Sequence, residues 1–169
     1  AVSLDLEIIV VDDSSTDSTA AEIEHAGIPN VRVISHELNR GKGAAVRTGL
    51  DAATGDVVVI QDGDLEYDPQ DFVSLMQPIL RGETRVVYGY RRLGTQSLLY
   101  RIGNRFLTLL TNVLYGASVR DMETCYKMWR REVLAGVALT ASSFDIEVEL
   151  TARFLQRGET IAQLPIRYE

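Results

Sequence analysis

Cysteine occurs once in this sequence, at position 125, which excludes a disulfide framework and any cysteine-rich zinc site. Cys125 reads as a small buried hydrophobe before it reads as a reactive thiol. No apolar run approaches the ~18 residues of a membrane-spanning helix, so no stretch of this chain is expected to cross a bilayer in that form. Lysine is scarce: Lys42 and Lys127 are the only two. Repeats, low-complexity tracts and linker-like stretches are also lacking, so residues 1–169 are expected to form a single domain.

What is plentiful is charge, unevenly spread. Residues 1–84 carry 5 Lys/Arg against 16 Asp/Glu, residues 85–131 carry 9 against 2, and residues 132–169 carry 3 against 6. The acidic first part repels polyanions unless a metal ion intervenes. The basic middle attracts phosphates or an anionic surface, although scattered surface arginines would give the same count. That middle carries no nucleic-acid-binding motif, so nucleic acid is not an expected partner.

Strand and helix patterns alternate along the chain. Strands are expected at Leu6–Val11, Val31–Ser35, Asp56–Gln61, Arg85–Tyr90, Cys125–Trp129 and Thr160–Tyr168. Helices are expected at Ala20–Ala26, Gly43–Ala53, from Asp68-Pro69 towards Leu80, over 97–115, at Arg130–Val137 and at Asp145–Gln156. Such alternation implies right-handed crossovers: an α/β fold, its sheet mainly parallel, with helices on both faces. The chain opens almost directly into a buried strand, which is expected of a piece of a longer domain.

Two of these strands end in acid. LEIIVV runs into Asp12-Asp13, and VVVIQ runs into Asp62-Gly63-Asp64, followed by Glu66 and Asp68. Ligands of open α/β sheets collect at the carboxyl ends of the strands, and both acid sets are expected along that edge. Asp62 and Asp64 flank a glycine that lets the backbone turn, so both can face one point. Such oxygen ligands suit Mg²⁺ or Mn²⁺ shared with a substrate's phosphates; a solvated acidic turn is the plainer alternative.

Between them lies NRGKGAAVRTG, residues 39–49. Gly41 and Gly43 let backbone N–H groups approach an anion, with Lys42 adding charge, but a simple helix start explains the same residues. The stretch is neither a Walker loop nor a dinucleotide fingerprint, since Val46 stands at the third glycine position. IIVVDDSS also matches the start of a phosphoreceiver domain. That reading requires a lysine after RVVYGY, where Arg91-Arg92-Leu93 stands instead, and the only later lysine is Lys127.

VVDDSSTDST (10–19), NRGKGAAVRTGL (39–50), GDVVVIQDGDLEYDP (55–69), DMETCYKMWRREV (121–133) and FDIEVELTARFLQRG (144–158) occur in this order. Together they resemble the family-2 glycosyltransferases of the nucleotide-diphospho-sugar transferase (GT-A) fold, above all the dolichol-phosphate and polyprenyl-phosphate sugar transferases. The resemblance implies a catalytic domain without its first strand and without its C-terminal continuation. It implies inverting, metal-dependent transfer of a hexose from a donor of the UDP-glucose or GDP-mannose type to a polyprenyl phosphate. A sugar or other hydroxyl acceptor, or a non-catalytic nucleotide-sugar-binding module, is the alternative.

Residue by residue, the resemblance places Asp12, Asp13 and Ser15 at the nucleobase and ribose, and Gly41, Lys42 and Gly43 near the nucleotide. It places Asp62, Gly63 and Asp64 at the donor diphosphate, with Asp62, Asp64 and Glu66 as ligands of Mg²⁺ or Mn²⁺. Asp121 would be the catalytic carboxylate near the reacting sugar and acceptor, orienting a lipid phosphate or taking the proton of a hydroxyl acceptor. Glu123, Thr124 and Lys127 would shape the acceptor and sugar pocket, with Glu147 a weaker candidate. Arg91, Arg92, Arg101 and Arg105 precede or interleave FLTLLTNVLYGA (106–117), a helix apolar enough to lie on a membrane surface and receive the lipid phosphate. Packing of that helix on the sheet is the alternative. The implied location is peripheral, on the cytoplasmic face of a membrane, with homo-oligomer formation left open.

Overall fold

A computed structural model describes residues 5–91 and 98–168, with the side chains of 98–101 not described. The expectations for Arg92, for the Arg101 side chain and for most of the 90–100 connection lie outside the described residues. The chain divides into two compact units, Ala1–Asp56 with Ala138–Ile146, and Val57–Val137 with Glu147–Glu169.

In the first unit, β1 (Ile8–Asp12) and β2 (Val31–Ser35) pair in parallel, in register from Ile8↔Val31 to Asp12↔Ser35. Both are rich in β-branched residues, which favour extended backbone. The crossover between them carries α1 (Thr19–His25). After β2 comes α2 (Lys42–Ala52), whose Gly49 approaches the Val11 side chain. Asp12 therefore closes β1 at the carboxyl end of a parallel pair.

The second unit is a four-stranded sheet in the order β3-β5-β4-β6 (Val57–Val59, Lys127–Arg130, Val86–Tyr90 and Ile161–Pro165). β4 and β6 are parallel, while β5 runs antiparallel to both neighbours. β3, β4 and β6 thus share one direction and β5 alone is reversed. Alternation along the strands separates two apolar layers. Val87 and Met128 pack with Leu75 and Ile79 of α3 (Phe72–Leu80). Tyr88 and Trp129 meet Phe154 of α5 (Ile146–Gln156), at ring-centroid distances of 6.3 and 5.4 Å. Helices cover both faces, as the alternation of patterns implies.

α3 is preceded by the expected cap: Asp68 accepts from the Gln70 amide at 2.9 Å, with Pro69 at the first position of a 3-10 turn. α4 (Leu98–Tyr115) also lies where its pattern places it. The helix expected at Arg130–Val137 shrinks to one 3-10 turn, Arg131–Leu134. Gly136, in the left-handed region at φ 72°, ends it. No helix among the described residues is long and apolar enough to cross a membrane.

Candidate active site

In the first unit the two aspartates at the end of β1, Asp12 within the strand and Asp13 just beyond it, have different partners. Asp12, 8% exposed, accepts from the amide and hydroxyl of Ser15. Ser14, at φ 66°, makes the turn that brings Ser15 back. Asp13 is the hub of the glycine loop. Its Oδ1 accepts from the Arg40 amide at 2.9 Å and its Oδ2 from the Gly41 amide at 2.7 Å.

His36 Nδ1 lies 2.6 Å from the same Oδ1 and must be the donor, because a carboxylate only accepts. Its Nε2 lies 2.9 Å from the Thr48 hydroxyl, a second hydrogen bond that fixes the ring. Burial by itself would raise the Asp13 pKa; the bonds from His36, Arg40 and Gly41 outweigh it and leave the carboxyl below its ordinary value.

The anion that the Gly41 amide meets is therefore the chain's own Asp13. The Gly43 amide, the other group the sequence offered to a phosphate, donates to the Ser142 carbonyl at 3.0 Å. Absence of a Cβ is what these glycines supply. A Cβ on Gly43 would lie 2.5 Å from the Ala141 oxygen and 2.8 Å from the Ser142 carbonyl carbon. On Gly41, at φ 86°, it would collide with the Ser142 oxygen. Lys42 extends its ammonium over the Phe144 ring, 5.8 Å from the centroid.

In the second unit, β3 leads into the loop of Asp62, Gly63, Asp64 and Glu66. Asp64 is exposed and its Oδ1 accepts from the Glu66 amide at 3.1 Å. Nothing lies within 4 Å of where a Gly63 Cβ would stand. Glu66 accepts from the Tyr168 hydroxyl at 2.8 Å through one carboxylate oxygen. Among the described residues no three His, Cys, Asp or Glu side chains gather as a metal cage. Two carboxylates on an open turn fit a Mg²⁺- or Mn²⁺-type ion that draws its remaining ligands from phosphates and water.

Tyr168 links this loop to the next group, since the Arg91 guanidinium stacks 5.3 Å from its ring centroid. Arg91 Nε and Nη2 donate to Asp121 Oδ2 and Oδ1 at 2.7 and 2.9 Å, and the Asn104 amide adds a bond to Oδ1 at 3.0 Å. Burial would raise the Asp121 pKa, but the Arg91 and Asn104 bonds with the Arg91 charge prevail and hold it low. A carboxylate with both oxygens so engaged is a poor proton acceptor.

Glu123 is the opposite case. Its Oε1 is buried without a hydrogen-bond partner, and burial pushes its pKa up against the pull of Lys127. The neighbouring Thr124 hydroxyl is also buried and unpartnered. Lys127, which the resemblance put in the pocket, is fully buried. Its ammonium donates to the Met122 and Thr124 carbonyls at 2.9 and 2.5 Å and to Glu147, so it braces the 121–127 loop from behind. Arg105 is exposed on α4.

Three participants escaped the sequence reading: His36, Asn104 and Tyr168. Asn104 had a legible signal, because Asn104, Thr108 and Thr111 form a polar seam at helical spacing on an otherwise apolar helix. His36 and Tyr168 had none.

Residues 2–137 match the family model described as glycosyl transferase family 2. Glycosyltransferase AglJ of Haloferax volcanii is 31% identical over 165 residues, covering 95% of this chain and 53% of that protein. Dodecaprenyl-phosphate galacturonate synthase of Rhizobium johnstonii is 30% identical over 138 residues, covering 79% of this chain and 40% of that protein. The chain thus spans about half the length of these curated relatives. Among solved structures, glucosyl-3-phosphoglycerate synthase from Mycobacterium tuberculosis in complex with Mn²⁺, UDP-glucose and phosphoglyceric acid superposes with a TM-score of 0.73. It is 26% identical, and the match covers 93% of this chain and 57% of that one.

Proposed function

The chain belongs to glycosyl transferase family 2 and has the nucleotide-diphospho-sugar transferase (GT-A) fold, and on that premise we propose that it transfers a hexose from a nucleotide diphosphate sugar to a polyprenyl phosphate. A phosphate oxygen attacks the anomeric carbon, the bond to the diphosphate breaks, and the configuration inverts. The relative named for a dodecaprenyl phosphate supports this acceptor, and the neighbour bound to UDP-glucose supports a nucleotide-sugar donor.

The observation that carries the proposal is the state of Asp121. A hydroxyl acceptor needs a base within hydrogen-bond reach, whereas a lipid phosphate is already ionised at neutral pH. Asp121, locked to Arg91 and Asn104 with its pKa held low, suits an acceptor with no proton to give up. Its role is to fix Arg91 and the 121–127 loop.

Within the first unit, Asp12 and Ser15 face the nucleobase and ribose, Lys42 lies toward the nucleotide, and Asp13 keeps the glycine loop in shape. Within the second, Asp62 and Asp64 hold a divalent ion; Glu66 steadies that loop through Tyr168. When bound, the ion neutralises charge on the leaving diphosphate. The lipid acceptor brings the reaction to a membrane surface.

A hydroxyl acceptor is the second reading, and Glu123 favours it. An unpartnered buried oxygen with a raised pKa is what a general base requires.

Calorimetric titration of UDP-glucose and GDP-mannose, with Mn²⁺ and with EDTA, tests the donor side. Metal-dependent binding that Asp64→Ala abolishes is expected. Binding untouched by EDTA and by the substitution overturns the metal assignment. Turnover with detergent-solubilised polyprenyl phosphate is expected on the acceptor side, and turnover with hydroxyl acceptors alone overturns the lipid reading.

A further inference from the structure

α4 is built inside out. Asn104, Thr108 and Thr111 are buried, and each is satisfied within the second unit. Asn104 donates to Asp121, Thr108 donates to the Asn104 side-chain oxygen at 3.2 Å, and the Met122 amide donates to Thr108 at 3.2 Å. Thr111 donates to the Met122 sulfur at 3.0 Å. The opposite face is apolar and open. Ile102, Phe106, Leu109 and Val113, spaced i, i+4, i+7 and i+11, are 56, 63, 62 and 72% exposed. A helix at the surface of a water-soluble domain normally shows the reverse pattern.

Large contiguous apolar patches mark an interaction surface, and the charges around this one select its partner. Leu98–Tyr115 contains two arginines and no acidic residue, inside the only stretch of the chain with a basic balance. Arg105, exposed, flanks the apolar stripe. A second copy would offer the arginines of this helix no countercharge, since Leu98–Tyr115 holds no acidic residue. An anionic lipid surface accepts both features at once, arginine at the headgroups and apolar side chains among the upper acyl carbons.

We infer that the outer face of α4 is a membrane-docking surface, on which the helix lies in the plane of an anionic bilayer with Phe106, Leu109 and Val113 inserted. The biological sense of this docking rests on the lipid-phosphate reading, since the inner face of the same helix holds Asp121. Its test does not use the acceptor.

The chain is mixed with vesicles of phosphatidylcholine alone, or of equal parts phosphatidylcholine and phosphatidylglycerol, and bound protein is separated by flotation. Binding to the anionic vesicles is expected, weakened by salt. The double variant Phe106→Asp, Val113→Asp should lower it at least about tenfold, and Arg105→Glu about fivefold. All these side chains point outward, so an unchanged denaturation curve verifies the fold of each variant.

No binding to either vesicle by the folded chain would overturn the inference, as would full binding by the double variant. So would a dimer in analytical ultracentrifugation that the double variant dissolves, since a second copy would then cover the face. The vesicles contain no polyprenyl phosphate. Docking without lipid-phosphate turnover therefore sinks only the acceptor reading, and turnover without docking sinks only this inference.

Discussion

Arg91 grips Asp121 at two points, Nε to Oδ2 at 2.7 Å and Nη2 to Oδ1 at 2.9 Å, and both residues are nearly sealed from solvent, at 7% and 2% exposure. Removing one partner of a buried pair leaves an uncompensated charge, so Asp121→Asn should cost about 3–5 kcal/mol in urea unfolding. Arg91→Lys keeps the charge and loses the fork, at about 1.5–3 kcal/mol.

The pair also sets an acid limit. Because the folded-state pKa of Asp121 lies below its unfolded value, its contribution is complete above about pH 4 and drains away as pH falls through the lowered value. Unfolding followed from pH 7 down to pH 2 should show a loss that Asp121→Asn lacks. Equal acid sensitivity in both proteins would contradict the pairing.

Glu123 runs the other way. Burial raises its pKa, so between the unfolded and folded values the native state binds the extra proton, and stability falls as pH rises through that window. Glu123→Gln should therefore be more stable than the parent at neutral pH. The same variant discriminates between acceptors. Transfer to a lipid phosphate should survive it within about tenfold, whereas a hydroxyl acceptor that relied on Glu123 as base would lose about 10²–10⁴-fold.

The fold was largely legible because its cues are local. Apolar runs bounded by Gly, Pro and Asp gave strands and helices within a few residues, and the Asp68-Pro69 start was read directly. β5 was not legible in direction: KMWR reads the same whichever way its neighbours run, and pairing of distant strands decides it. At the site, the acidic strand ends were visible as composition, but the partners of each carboxylate were not. Gly41 and Gly43 look alike whether they admit a phosphate or a neighbouring backbone, and only the Ala141 and Ser142 carbonyls separate the two. Lys127 was expected in the acceptor and sugar pocket, and its full burial was not legible because a buried lysine needs acceptors from residues as distant as Glu147.

That close approach can be tested with single methyl groups. In Gly43→Ala the new Cβ meets backbone atoms on the 141–142 segment, which cannot swing aside as a side chain can. A destabilisation of about 1–3 kcal/mol is expected. Gly41→Ala adds the strain of a φ of 86°, about 1–3 kcal/mol more. Gly63→Ala, with open space around it, should stay within about 0.5 kcal/mol. Chemical denaturation of the three variants checks the order, and a Gly43→Ala protein as stable as Gly63→Ala would deny the clamp.

Lys127 and Glu147 complete the support of the 121–127 loop. The ammonium satisfies the carboxylate and two carbonyls, Met122 and Thr124, at one buried point. Lys127→Met strips all three acceptors and should cost about 3–5 kcal/mol. Adding Glu147→Leu removes the stranded carboxylate, so the double variant should recover much of that loss. Recovery should stop short of the parent, because two carbonyls remain without their donor, at about 1–3 kcal/mol each. A double-mutant cycle read by urea unfolding gives the coupling directly. A coupling below about 0.5 kcal/mol, the level at which distant sites simply add, would mean that the two charges do not depend on one another. The loop carrying Asp121 and Glu123 would then be held by the Lys127 bonds to the Met122 and Thr124 carbonyls and by the Arg91–Asp121 pair, without help from Glu147.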